Sequence, residues 1–270
     1  MPAFDSTFVE IVAILLGTGA IAGFAAGLLG VGGGIVIVPM LYWISPLLDV
    51  DPAVVVHMAV ATSLATIIPT SIASVRAHHC RGAVDVDLLK LWGPAVFVGA
   101  ALGGTTSGYL DGKALAGVFG VVALVVAVNM VLPKPLVLAD AIPGSAAINR
   151  LMAGAIGFVS ALMGIGGGTL SVPTLSLFSF PIHRAVGTAS AFGLAIAVPA
   201  VAGYIYGGWD VPGRSPFSVG YVNILAAVPL MVMTVLFAPL GAKTAHSIDR
   251  TWLKRCFGAF LAVTAIRMLT

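Results

Sequence analysis

Apolar positions run unbroken over long stretches of the chain, and polar ones collect in the gaps between them. No Asp, Glu, Lys or Arg occurs in 114–133, 185–209 or 215–242. Each stretch is long enough to cross a bilayer core of about 30 Å as a helix. A membrane-spanning barrel would instead alternate apolar and polar residues over about ten positions at a time. The pattern divides into ten apolar segments, roughly 8–29, 33–44, 53–75, 88–109 and 114–132, then 148–164, 168–180, 185–206, 218–240 and 251–269. The fold class it predicts is all-α, a polytopic membrane protein. The second segment of each five holds about 12 residues, roughly 18 Å of helix, too short to span without help.

The two sets of five repeat one another. Positions 23–41 and 157–175 are identical at 10 of 19 places. "HMAVAT" from His57 matches "HRAVGT" from His183 at 4 of 6. "DGKALAGVFG" from Asp111 shares its Asp, Leu, Phe and final Gly with "DRTWLKRCFG" from Asp249. The chain therefore divides into two membrane repeats, 1–135 and 136–270, a common transporter construction. Their orientation follows from parity. If the first two segments of each unit were one broken crossing, the repeats would be parallel and the 13 Lys and Arg would divide 7 against 6 between the faces. If those segments form a hairpin that returns to its starting face, the repeats are inverted and the division is 10 against 3. The rich face then holds Arg76, Arg81, Lys90, Lys134, Arg150, Arg184, Lys243, Arg250, Lys254 and Arg255. The poor face holds Lys113, Arg214 and Arg267, beside Asp49 and Asp51. The positive-inside rule selects two inverted repeats of about five helical segments each, with both termini outside.

Glycine accounts for the hairpins. "GLLGVGGGIVIVP" at 27–39 and "ALMGIGGGTLSVP" at 161–173 place Gly32, Gly33 and Gly34, and Gly166, Gly167 and Gly168, inside apolar stretches. A glycine costs a helix about 1 kcal/mol relative to alanine, so the triplets mark the tips of re-entrant or broken helices that meet near the midplane. Non-helical backbone is tolerated there only where protein buries it or water reaches it. Each tip opens a helix whose first N–H groups lack partners and whose dipole is positive, and with no Cβ in the way an anion can approach those donors. Pro39 and Pro173 break the short helices, freeing the carbonyls of Ile35 and Thr169. The competing reading is close packing, which suffices for Gly19, Gly23 and Gly27 and for Gly99 and Gly103, all spaced by four.

The third segment of each unit adds hydroxyls: Thr62, Ser63, Thr66, Thr70 and Ser71 in the first, Thr188 and Ser190 in the second. Helix hydroxyls serve either a bound anion or the carbonyl one turn back. Thr62 and Thr188 occupy equivalent repeat positions. The expected substrate-binding set is thus Gly32, Gly33, Gly34, Thr62, Ser63, Gly166, Gly167, Gly168, Thr188 and Ser190, with Arg184 the cation best placed to draw anions in. His57 and His183 also correspond and, near segment ends, read as capping or solvated histidines.

Composition narrows the function classes. Charged residues make up 9% of the chain, against about 25% in a soluble domain. None of the ten Asp and Glu lies deep in a segment, which argues against a carboxylate-relay symporter or a cation transporter. Sodium coupling through freed backbone carbonyls would leave no sequence trace. No nucleophile elbow, HExxH, P-loop or dinucleotide fingerprint occurs, so nothing points to an enzyme or a cofactor. Cys80 and Cys256 make no disulfide framework, and His78, His79 and Cys80 read as a solvated basic loop before a soft-metal site. Nothing basic precedes the first segment, unlike a secretory signal. The expected partners are a small anionic substrate and the lipid bilayer, not nucleic acid, with a homo-oligomer left open. An anion leaving an inside-negative cell moves downhill by about 2.3 kcal/mol per charge per 100 mV, so export needs no coupling ion. An anion channel and an importer of a related anion are the alternatives.

These motifs together resemble the TauE/SafE sulfite exporter family of permeases over nearly the whole chain. The carriers are "GLLGVGGGIVIVPML", "HMAVATS", "ALMGIGGGTLSVPTL" and "FPIHRAVGTASAF". The family's Gly-Thr-Ser triplet stands here as Ala61-Thr62-Ser63 and as Gly187-Thr188-Ala189-Ser190, the second with an inserted alanine. The resemblance implies a multi-pass carrier in a bacterial inner membrane for sulfur-containing anions such as sulfite, sulfoacetate or other organosulfonates.

Overall fold

The computed structural model describes residues 6–29, 32–48, 50–131, 137–244 and 250–269, with backbone alone at 6–8, 29, 130–131 and 250–257. Gly30 and Val31 of the first glycine run, Asp49, Lys134, Asp249 and the division of the repeats between 135 and 136 lie outside the described residues.

The described residues form ten α-helices: α1 (Ser6–Leu29), α2 (Gly34–Ile44), α3 (Val55–His79), α4 (Val86–Thr106), α5 (Gly112–Val131), α6 (Ala146–Met163), α7 (Gly167–Leu177), α8 (Ile182–Gly207), α9 (Ile224–Thr244) and α10 (Arg250–Leu269). They follow the ten apolar segments in order. Seven of them, α1, α3 to α6, α8 and α9, are long and apolar enough to cross a membrane. The one clear departure is α9, which begins six residues later than the apolar run suggests. Residues 218–223 fold instead into a short hairpin, β1 (Ser218–Val219) against β2 (Val222–Asn223), with Gly220 at φ +55° in its turn. Asn223 then caps α9, its Oδ1 accepting the Ala226 N–H at 3.0 Å. A cap and a left-handed turn override an apolar run because they satisfy backbone donors that the run cannot.

Helix directions follow from which residues meet. In α3 and α8, Ser74 pairs with Ser190 at 3.0 Å and Ser71 lies against Gly193. The start of α3 lies instead near the end of α8, where the His57 ring stacks 4.9 Å from Tyr221 and Tyr221 stands edge-on to Tyr204. These equivalent helices therefore cross antiparallel. By the same reasoning α3 runs parallel to α9, through Thr62 to Asn223 and Thr70 to Thr234. Helix α4 runs parallel to α6, through Trp92 to Asn149 and Gly103 to Phe158. Helix α1 runs parallel to α9, with Gly19 beside Leu230 and Gly27 beside Ala238. So α1 and α3 share a direction, and α2 is the return stroke between them.

Small residues set the seams. A methyl group at Gly23 would lie 2.6 Å from Thr234 Cα, and one at Gly103 would lie 2.6 Å from the Phe158 carbonyl oxygen. Helix backbones at such separations gain dispersion contact that Leu-lined seams do not, and in lipid this replaces a hydrophobic driving force. The outward faces carry exposed Phe97, Val98 and Leu102 on α4 and Val228, Val232 and Leu236 on α9. That is the surface hydrocarbon chains would cover.

Candidate functional site

The glycine tips meet each other inside the protein. Gly32 and Gly33 take left-handed φ of +81° and +74°, a conformation open to glycine without strain. A Cβ on Gly32 would sit 2.6 Å from Gly166 Cα, so the equivalent positions of the two repeats touch. Gly34 packs on the Gly164 carbonyl and against Ser63, whose Oγ donates to that same carbonyl at 2.7 Å. One hydroxyl of repeat one thereby pins the tip of repeat two. Ser63→Ala removes that donor and leaves a buried carbonyl short of a partner, so the thermal unfolding midpoint in detergent should fall by the equivalent of about 1–3 kcal/mol. An unchanged midpoint would mean that water serves the carbonyl equally well.

Beside the tip contact lies a small cavity, lined by Gly32, Gly167 and Gly168, by Thr70, Ser71 and Ser74 of α3, and by Ser190 and Gly193 of α8. Gly167 and Gly168 open α7, so their N–H groups have no acceptor within the helix, and the dipole leaves that end partly positive. Ser71 is 5% exposed, and its hydroxyl has no hydrogen-bond partner among the described residues. The other hydroxyls are engaged. Thr70 donates to the Thr66 carbonyl and meets Thr234 Oγ1, each at 2.7 Å, and Ser190 bonds both Ser74 and the Val186 carbonyl. Among the described residues no charged side chain lines the cavity. Its chemistry is that of uncharged donors converging on a small space, which suits a small oxyanion.

The sequence-derived set divides on this geometry. Gly32, Gly167, Gly168 and Ser190 line the cavity, with Gly33, Gly34 and Gly166 buried behind them. Thr62 and Thr188 lie elsewhere, in matching roles. Thr188 Oγ1 accepts the Asp85 N–H at 2.8 Å and Thr62 Oγ1 accepts the Asn223 N–H at 3.0 Å. Asp85 and Asn223 are the N-caps of α4 and α9, so each threonine ties the third helix of one repeat to the fourth helix of the other. Arg184 is half-exposed, ion-paired to the buried Asp85 and placed over the Phe180 ring. Pro39 is buried within α2 and Pro173 half-buried within α7. Thr70, Ser71, Ser74 and Gly193 line the cavity but stand outside the expected binding set; 70, 71 and 74 share one helix face, which is the signal that could have found Ser74. His57 is buried, not solvated, with Nε2 3.0 Å from the Leu110 carbonyl and 3.2 Å from that of Ser107.

Residues 15–268 match the model of the sulfite exporter TauE/SafE family. A probable membrane transporter protein of Haemophilus influenzae is 33% identical over 253 residues, covering 93% of this chain and 95% of that protein. One of Methanocaldococcus jannaschii is 26% identical, with 97% of each chain covered. The probable membrane transporter protein YunE of Bacillus subtilis is 30% identical over 65% of this chain and 71% of its own. No solved structure matches the chain. Seven apolar helices, the doubled glycine tips and a match over almost the full length lead to one conclusion: the chain is a multi-pass membrane transporter of the TauE/SafE family.

Proposed function

We propose that the chain exports small sulfur-containing anions, sulfite, sulfoacetate or another organosulfonate, across a bacterial inner membrane by alternating access. The observation that carries this reading is the uncharged donor set at the tips: two glycine N–H groups at the head of α7 and the Ser71 hydroxyl, unpartnered among the described residues, around one small cavity. The antiparallel crossing of α3 and α8 supports inverted repeats. Arg76, Lys90, Arg150, Arg184 and Lys243 belong to the helix ends on the Asp85 side, and Lys113 and Arg214 to the Asn223 side. The positive-inside rule makes the Asp85 side cytoplasmic. The cavity then sits on the cytoplasmic side of the tip contact. Beyond it, α8 is fully buried at Ile196, Ala197 and Ala200.

The test is efflux of labelled sulfite or sulfoacetate from proteoliposomes under a set potential. Inside-negative potential should accelerate efflux, because it contributes about 2.3 kcal/mol per charge per 100 mV. Ser71→Ala should slow it several-fold with little effect on the unfolding midpoint. Efflux indifferent to the sign of the potential would overturn the exporter reading, and single-channel currents would replace the carrier by a channel.

A further inference from the structure

The two repeats join their third and fourth helices differently. Six residues, 80–85, lead from α3 to α4, whereas sixteen, 208–223, lead from α8 to α9. Both connections end on the cap that a threonine of the other repeat holds. Two residues before each cap stand Ala83 and Tyr221. Ala83 packs on Gly187, at the start of α8. Tyr221 reaches instead between α8 and α3, edge-on to Tyr204 and stacked on His57. The rest of the longer connection is tied down around it. The Asp51 N–H donates to the Gly213 carbonyl at 3.0 Å, and Ser215 Oγ donates to the Leu48 carbonyl at 2.9 Å. Gly208 packs on the Tyr221 ring and Gly220 on the Ile205 backbone. The connection is thus a strap over the Asn223-side end of the α3–α8 crossing, with a tyrosine as its wedge.

The group under the wedge can take a proton. His57 is 4% exposed. Its Nε2 faces two carbonyl oxygens, those of Leu110 and Ser107, so Nε2 carries the hydrogen and Nδ1 is a bare acceptor. Nδ1 is buried and has no hydrogen-bond partner among the described residues. A second proton would put an unaccepted N–H and a positive charge beneath Tyr221, which burial penalises. The surroundings do not offset that penalty. The Tyr221 and Tyr204 phenols are buried beside the ring. Arg214, which acts on Tyr221, gives its N–H groups to the Val211 and Gly220 carbonyls. Asp111 acts on the ring and favours its charged form, but it is exposed, and solvent screens it. Its Oδ1 is also committed to the Ala114 N–H, and Lys113 beside it is exposed. The equivalent histidine of repeat two, His183, is exposed on the Asp85 side.

We propose that residues 208–223 form an outer lid clasped by His57, seated while the ring is neutral and lifted when acid on that side adds a proton to Nδ1. Lifting hydrates the ring, so the open lid binds a proton that the closed lid does not, and acid favours opening. The lid's role as the outer gate rests on the export reading. The test uses the full chain in lipid nanodiscs, with Cys80→Ser and Cys256→Ser, and a charged methanethiosulfonate as the probe. Met58→Cys reports the buried turn beside His57, and Asp210→Cys the exposed surface of the lid. The second labelling rate corrects the first for thiol ionisation. Their ratio should rise as the pH falls from about 8 to about 5, by up to about tenfold per pH unit for one proton. His57→Gln should flatten that dependence, and His183→Gln should leave it unchanged. A Cβ at Gly213 would lie 2.5 Å from Asp51 Cβ, so Asp51→Cys with Gly213→Cys can clamp the lid shut without touching His57. The oxidised clamp should stop methanesulfonate efflux from proteoliposomes, and reduction should restore it. A ratio that ignores pH, or a pH dependence that survives His57→Gln, would overturn the proposal, as would full efflux through the oxidised clamp. No efflux from any form, with the pH-dependent ratio intact, would overturn the export reading and leave the lid standing.

Discussion

Gly32→Ala is expected to stop transport and lower the unfolding midpoint, while Gly17→Ala changes neither. At Gly32 an alanine meets two penalties at once. Its φ of +81° is left-handed, which costs an L-residue about 1–2 kcal/mol. Its Cβ would also stand 2.6 Å from Gly166 Cα, and backbone cannot yield as a side-chain end can, so overpacking adds about 1–3 kcal/mol. The total of about 2–5 kcal/mol exceeds a tenfold change in any equilibrium that brings the tips together. Gly17 lies exposed on α1 with nothing within 4 Å of its Cβ position. It therefore reports the ordinary effect of a methyl group on a membrane helix. Gly167→Ala provides the matching test in repeat two, where the new Cβ would lie 2.6 Å from the Ala189 carbonyl oxygen and 2.7 Å from Gly193 N. Thermal unfolding in detergent and labelled-anion efflux, measured on the same preparations, check all three. Full efflux in Gly32→Ala would mean that transport does not need the tips in contact.

Sequence revealed the tips because glycine is expensive in a helix, so six of them in matched triplets needed a reason: Gly32 and Gly33 take a left-handed φ, and Gly34 and Gly167 sit where a Cβ would meet backbone. It revealed the helix order because long apolar runs leave few alternatives. What it concealed depends on partners distant in the chain. Thr62 and Thr188 were visible as equivalents, yet their partners are 161 and 103 residues away, and both are backbone N–H groups that carry no sequence signature. Ser71 and Thr70 are neighbours of the same type, and only the seating of α3 against α7, α8 and α9 leaves one hydroxyl free and engages the other. The late start of α9 was hidden for a related reason: Asn223 and Gly220 act through a cap and a turn inside a run whose composition stays apolar.

Arg184→Gln should weaken apparent anion affinity and stability together, and a double-mutant cycle with Asp85 separates the two. Asp85 is 8% exposed; one carboxylate oxygen accepts the Leu88 N–H at 2.9 Å and the other meets Arg184. Removing the guanidinium leaves a buried charge short of its partner. Breaking a fully buried pair costs about 3–5 kcal/mol, but the Arg184 side chain is 54% exposed, and solvent screening reduces the loss to about 1–2 kcal/mol. Asp85→Asn removes the charge and keeps an oxygen for the α4 cap. The double variant, Asp85→Asn with Arg184→Gln, should therefore regain most of the lost stability. Affinity follows a different rule. An exposed cation at the mouth proposed to face the cytoplasm raises the local anion concentration over roughly 8–10 Å, and added salt weakens that effect. The double variant should consequently keep a raised KM for efflux, and the difference from wild type should shrink at high ionic strength. If KM recovers along with stability, Arg184 acts only as a latch that holds the start of α8 to the cap of α4, and the tips alone select the anion.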